Sequence, residues 1–163
     1  MAFQTLLTLA TFLCSLVAGF LFAFATVVMP GIRRLEDREF IRAFQVIDGV
    51  VQDNQPLFVS VWVGSVLAVV AAGIFGLSAL SGAERALLIL AACVYLLGVQ
   101  LPTATVNIPL NNGIQKLDPH AMDETARRRA REGFELRWNR WNAVRTACAS
   151  LTSIVLTFLL LRR

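Results

Sequence analysis

The sequence predicts an all-α fold: an integral membrane four-helix bundle with two cytoplasmic amphipathic segments. Three observations carry that expectation. Mean hydropathy is +0.64 and 56% of the 163 residues are apolar, above the roughly 45–50% of soluble domains. The apolar excess is gathered in four long blocks. The charges fall between those blocks, most of them in two loops. The length suits a single membrane domain over residues 1–163, with spans at about 6–29, 57–77, 86–106 and 143–161.

The first span carries no charged residue from Leu6 to Met29, roughly 36 Å of helix at 1.5 Å per residue. Pro30-Gly31 is expected to end it. The run is too long for a signal-peptide core and no basic residue precedes it, so it reads as a span. Pro56 suits the first position of the second helix, which continues from Leu57 to Leu77. The third runs from Ala86 to about Val106, interrupted at Pro102. The fourth runs from Ala143 to Leu161 and closes on Arg162-Arg163. Each can cross a hydrocarbon core about 30 Å thick, and a helix satisfies its own backbone groups there. Small residues recur every four positions, at Thr11, Ser15, Gly19 and Ala23, and at Gly64, Ala68, Ala72 and Gly76. Such ridges let helices approach closely, within one bundle or between two copies, which leaves a homo-oligomer open.

The loops after spans one and three hold eleven of the 15 basic residues, Arg33, Arg34, Arg38, Arg42, Lys116, Arg127, Arg128, Arg129, Arg131, Arg137 and Arg140. Arg85, Arg162 and Arg163 lie on the other side. That asymmetry predicts a multi-pass protein, in the inner membrane if the cell is bacterial, with both long loops in the cytoplasm and both termini outside. Membrane lipids with anionic headgroups are the expected counterparts of the +4 net charge, and nucleic acid is not. Both loops have helical patterning. Phe40, Ala43, Phe44, Ile47 and Val51 share one face of the first, among polar positions that include Asp48. It should lie on the membrane surface or against the bundle mouth. The second opens at Asp118-Pro119, a cap and first turn. Met122, Ala126, Ala130, Phe134, Trp138 and Trp141 then recur at helical spacing. Glu124 with Arg128 and Arg131 with Glu135 are the expected ion pairs, and the arginines read as a solvated, lipid-facing array. Nothing stops this helix before the fourth span.

Polar groups enter the apolar blocks at two places. The end of span three holds Gln100, Thr103, Thr105, Asn107, Asn111 and Asn112, with Pro102 and Pro109 removing two backbone bonds. These groups need a bundle interior or a wet cavity. Asn107 and Asn111 face the same way if the segment stays helical. At the start of span four, Trp138, Trp141, Asn142 and Arg145 share a helix face. An arginine inside a span marks a functional site, or a snorkelling side chain above an interfacial tryptophan belt. Cys14, Cys93 and Cys148 sit singly in apolar blocks and His120 stands alone, which argues against a protein-ligated metal. No phosphate-binding glycine loop, nucleophile elbow or CxxC is present, which leaves nucleotide hydrolysis, acyl transfer and thiol redox chemistry without support.

The stretches TATVNIPLNN, Thr103 to Asn112, and WNRWNAVRT, Trp138 to Thr146, resemble the paired motifs of the anthrone oxygenase-like family. So do Met29-Pro30-Gly31 and the segment Asn54 to Phe58, and the resemblance covers nearly the whole chain. It implies a small four-span membrane protein. Some members are associated with oxidising anthrones to anthraquinones with dioxygen and no cofactor. Ala143 stands where the family commonly carries a histidine. Asn107, Asn111, Trp138, Trp141, Asn142 and Arg145 are the candidate ligand-binding residues. Arg145 and Asn142 are the catalytic candidates, and Asp48 or Glu135 could be a base. The functions to weigh are a membrane module holding a small aromatic or quinone-like ligand or a lipid headgroup, and an oxygenase acting on a polycyclic phenol. Transport has little support, since no charged pathway runs along the spans.

Overall fold

The computed structural model describes residues 2–163, and among them it contains helices and turns but no strand. Five helices follow in order: α1 Ala2–Ile32, α2 Asp37–Gln52, α3 Pro56–Ala79, α4 Gly82–Gln115 and α5 Glu124–Leu161. All but α2 are long and apolar enough to cross a membrane. Local chemistry sets their ends. Gln55 accepts the N–H of Phe58 and caps α3 ahead of Pro56. Asp123, not Asp118, caps α5, its Oδ1 accepting the N–H of Ala126 at 2.7 Å. Asp118 instead closes a turn on the N–H of His120, so this helix begins later than the sequence suggests. Once begun it runs unbroken through the fourth span.

The prolines do not end or interrupt their helices. α1 continues past Pro30 to Ile32, and α4 passes Pro102 and Pro109 to Gln115. In each case the chain widens into a π-helical turn just before the proline: Phe24–Val28, Leu96–Gln100 and Thr103–Asn107. The residue before each proline, Met29, Leu101 or Ile108, donates its N–H five residues back, to Phe24, Leu96 or Thr103. A proline has no N–H, and its ring crowds the carbonyl four residues back. The wider turn relieves that crowding and keeps the helix whole. Thr103 and Thr105 hydroxyls add bonds to the carbonyls of Val99 and Leu101.

The four long helices form a ring in which α1 touches α3 and α5, and α4 touches α5 and α3. Leu7, Cys14, Leu21, Val69, Leu88, Tyr95 and Leu156 fill its centre, and Leu67, Ile74, Leu90, Leu97 and Ile154 point outward. Tyr95 and Ser65 share a 2.6 Å hydrogen bond inside. The Gly64-to-Gly76 ridge is used: Ala68 and Ala72 are buried, and Leu88 leaves no room for a Cβ on Gly76. The other ridge is not used within the bundle, because Ser15, Gly19 and Ala23 are exposed.

α2 lies across the arginine-rich end of the bundle. Its Phe40 and Phe44 meet Phe134 and Trp138 of α5, with Met29 and Ile114 completing a second core. Phe44 and Phe134 have ring centroids 4.6 Å apart. Arg131 holds the preceding turn, donating to the carbonyls of Arg33 and Leu35 and to Asp37, while its Nε reaches Glu135 at 2.9 Å. Arg131 is therefore a structural clasp rather than part of a solvated array. The expected Glu124–Arg128 pair is replaced by Arg128–Glu132.

Candidate functional site

Between the two cores lies a partly open cavity of about 180 Å3. A single water needs roughly 10–15 Å3 of such space, so the cavity has room for a small organic molecule. Its walls are mostly aromatic: Phe20 and Phe24 from α1, Phe44 from α2, Phe58 and Trp62 from α3, and Trp138 from α5. Phe58 and Trp62 stack at 5.4 Å, and Phe20 stands 5.1 Å from Phe58. Phe24 lies 5.7 Å from Trp138. These are offset and tilted contacts of the kind aromatic rings prefer.

The polar groups of the cavity are arranged along α4. Thr103, Asn107 and Asn111 are successive turns of one helix edge and all line it. At the Thr103 level sits Arg145, 5% exposed, whose Nη1 donates to Thr103 Oγ1 at 3.1 Å and Nη2 to Asn142 Oδ1 at 2.9 Å. Its guanidinium lies 5.6 Å from the centre of the Trp138 ring. No carboxylate pairs with it among the described residues, and its Nε has no partner. Asn142 donates to the carbonyl of Leu21. One turn along, Asn107 is 2% exposed, and both its Oδ1 and its Nδ2 are unpartnered. A buried amide with no partner costs about 1–3 kcal/mol, and an arginine buried without a counter-charge costs more.

At the Asn111 level the cavity meets a carboxylate. Asp48 of α2 is 5% exposed and lines the same space. Asn111 Nδ2 donates to its Oδ1 at 2.7 Å, and Gln115 and Gln52 donate to its Oδ2. Three amide donors and no cation suit an acceptor-only carboxylate. Asn111 also accepts the Trp138 indole N–H at 2.8 Å, which ties the α2, α4 and α5 contributions together. The ladder from Thr103 to Asn111 spans about 12 Å of helix. It runs from a cation, past an unpartnered amide, to a carboxylate.

Five of the six residues singled out from sequence, Asn107, Asn111, Trp138, Asn142 and Arg145, line this cavity. Trp141 does not; it lies on the outer side of α5 with Leu136, Arg137 and Arg140. Glu135 pairs with Arg33 and Arg131 away from the cavity, which leaves Asp48 as the one of the two carboxylates in place. The aromatic wall from Phe20, Phe24, Phe58 and Trp62 was missed. Its signal, aromatic residues four apart at the loop-proximal ends of α1 and α3, looks the same as ordinary span packing.

A sequence profile of the anthrone oxygenase family matches residues 54–155, more than half of the chain. The chain belongs to that family. No curated protein and no solved structure matches it. The region shared with the anthrone oxygenase family contains α3, α4 and nearly all of α5, and with them the Asn107, Asn142 and Arg145 cluster. Asp48 and the α1 rings precede it. Ala143, where the resemblance implies a histidine, is exposed on the far side of α5 beside Ala25, Met29 and Pro30. A side chain there points away from the cavity.

Proposed function

We propose that this membrane protein binds flat polycyclic phenolic ketones of the anthrone type in the α4 cavity and promotes their oxidation by dioxygen without a cofactor. The observation that carries the reading is the presence in one aromatic-walled cavity of a carboxylate, an unpartnered amide and an unpaired guanidinium. An anthrone has a carbonyl and an acidic methylene on opposite edges of its central ring. With the carbonyl towards Arg145 and Asn107, the methylene faces Asp48. Asp48 takes one methylene proton, and the electron pair moves to the carbonyl oxygen as an enolate. Arg145 and Asn107 N–H groups stabilise that oxyanion, and the rings hold the plane. The enolate carbon then bonds dioxygen, and the resulting peroxide takes back the proton held by Asp48 to give a hydroperoxide and free the carboxylate. Loss of the second methylene proton, with cleavage of the O–O bond, releases water and leaves the second carbonyl. One oxygen atom ends in the quinone and one in water.

The arginine-rich face, by the count of basic residues in the loops, is the cytoplasmic one, with the termini outside and anionic lipid headgroups around the exposed arginines. The test is oxygen uptake and quinone formation from anthrone by protein in lipid nanodiscs, against protein-free nanodiscs. Wild type should exceed the spontaneous rate, and Asp48→Asn should lose about 100-fold or more of the excess. Saturable anthrone binding with no acceleration would leave a binding protein with the same cavity. Full activity in folded Asp48→Asn would remove the base assignment.

A further inference from the structure

The cavity has two sides on which it could open, and they are built differently. Towards the arginine-rich face it is strapped shut. Gln45 Nε2 donates to the carbonyls of Ile114 and Leu117, Gln115 donates back to the Gln45 carbonyl and to Asp48, and Gln52 bridges Asp48 and Asn112. These bonds fasten α2 to the end of α4 over the water side. Between α3 and α4 the fastening is sparser: Ser65 bonds Tyr95 inside the bundle, and Trp62 bonds Gln100 beside the cavity. Those two helices pack together mainly in the halves far from the arginine-rich face, where α3 meets Gly82–Tyr95 of α4. Beside the cavity Phe58 and Trp62 of α3 pack on Phe20 of α1, and the hydrogen bond from there to α4 is the Trp62 Nε1 donation to Gln100 Oε1 at 2.9 Å. Ile108 of α4 lines the cavity, as Phe58 of α3 does, while 46% exposed. Leu57 and Leu101 beside it point outward, 70% and 51% exposed.

We infer that the cavity is served by a lateral portal between α3 and α4, rimmed by Phe58, Trp62 and Ile108, through which its ligand passes to and from the acyl-chain region of the bilayer. The inference rests on the cavity holding a flat aromatic ligand, and it restricts the ligand class. A molecule using this route must dissolve in lipid, so it crosses neutral and loses a proton only beside Asp48. Glycosylated, sulfated or carboxylated analogues, held at the headgroups, are excluded by the route whatever the fit of their rings.

The experiment blocks the portal reversibly. Ile108→Cys is made in protein with Cys14, Cys93 and Cys148 changed to alanine, and reconstituted in liposomes. Anthrone binding is followed by stopped-flow quenching of tryptophan fluorescence, before and after modification with benzyl methanethiosulfonate, and again after dithiothreitol. The portal predicts that the benzyl adduct slows both association and dissociation by about tenfold or more, with both rates restored by the thiol. Unchanged rates on a fully modified protein would overturn it. If the unmodified protein binds no anthrone, the proposed function falls, and the portal is judged by a second measurement. With Trp138→Phe and Trp141→Phe, Trp62 should be quenched by lipids brominated high on the acyl chain more strongly than by aqueous iodide. The reverse order would place the opening against water and overturn the portal by itself.

Discussion

Asn107 is the residue whose chemistry is least explained by folding alone. A leucine of similar size would fill its place without stranding an amide. Asn107→Leu is therefore expected to raise stability, by about 1–2 kcal/mol, and to weaken anthrone binding. Thermal unfolding in one detergent with parallel binding titrations checks both halves; a destabilised variant would mean that the amide has partners in the folded protein. At this scale much of the site was legible. Asn107, Asn142 and Arg145 are conspicuous because lipid-facing helices exclude such groups. Asp48 was less so, because a carboxylate on an amphipathic helix has the same pattern whether it faces water or a cavity. Trp141 went the other way. Trp138, Asn142 and Arg145 fall within a narrow arc at 100° per residue, while Trp141 lies about 60° to one side, enough to leave a cavity that presents a single edge of α5.

Among the helices, the fit of α4 against α5 is set by a missing side chain. A Cβ on Gly98 would come within 2.9 Å of Cys148 Cβ and closer still to its Sγ. Gly98→Ala should cost about 1–3 kcal/mol, and adding Cys148→Ala should recover part of it by removing the sulfur. Chemical denaturation of the two single variants and the pair measures this, and strict additivity would show that the helices do not meet there. Gly98 also lies in the widened turn before Pro102. The sequence predicted a break at Pro102 and an end at Pro30, because proline removes a donor. It could not say that a fifth-residue bond would take up the slack. The helix spans themselves were legible, since their apolar content is a property of the whole run. Where α5 starts was not, as Asp118 and Asp123 are both competent caps.

Taken whole, the molecule buries little: only about a quarter of each span's most apolar stretch is buried inside the protein, as lipid permits. Its two poles differ sharply in charge. A cytoplasm-active reporter fused after Arg163 should be inactive, and one inserted in the turn at His120 should be active; the opposite pair of results would invert the protein in the membrane. α5 carries a final consequence. Phe134, Trp138, Asn142 and Arg145 are buried along one unbroken rod, together with the Arg131 clasp. Gaining or losing one amino acid anywhere between positions 131 and 145 would turn everything on one side of the change by 100°. The stretch is therefore locked in phase: point changes can be absorbed one at a time, but a change in its length would scramble clasp, rings and guanidinium together.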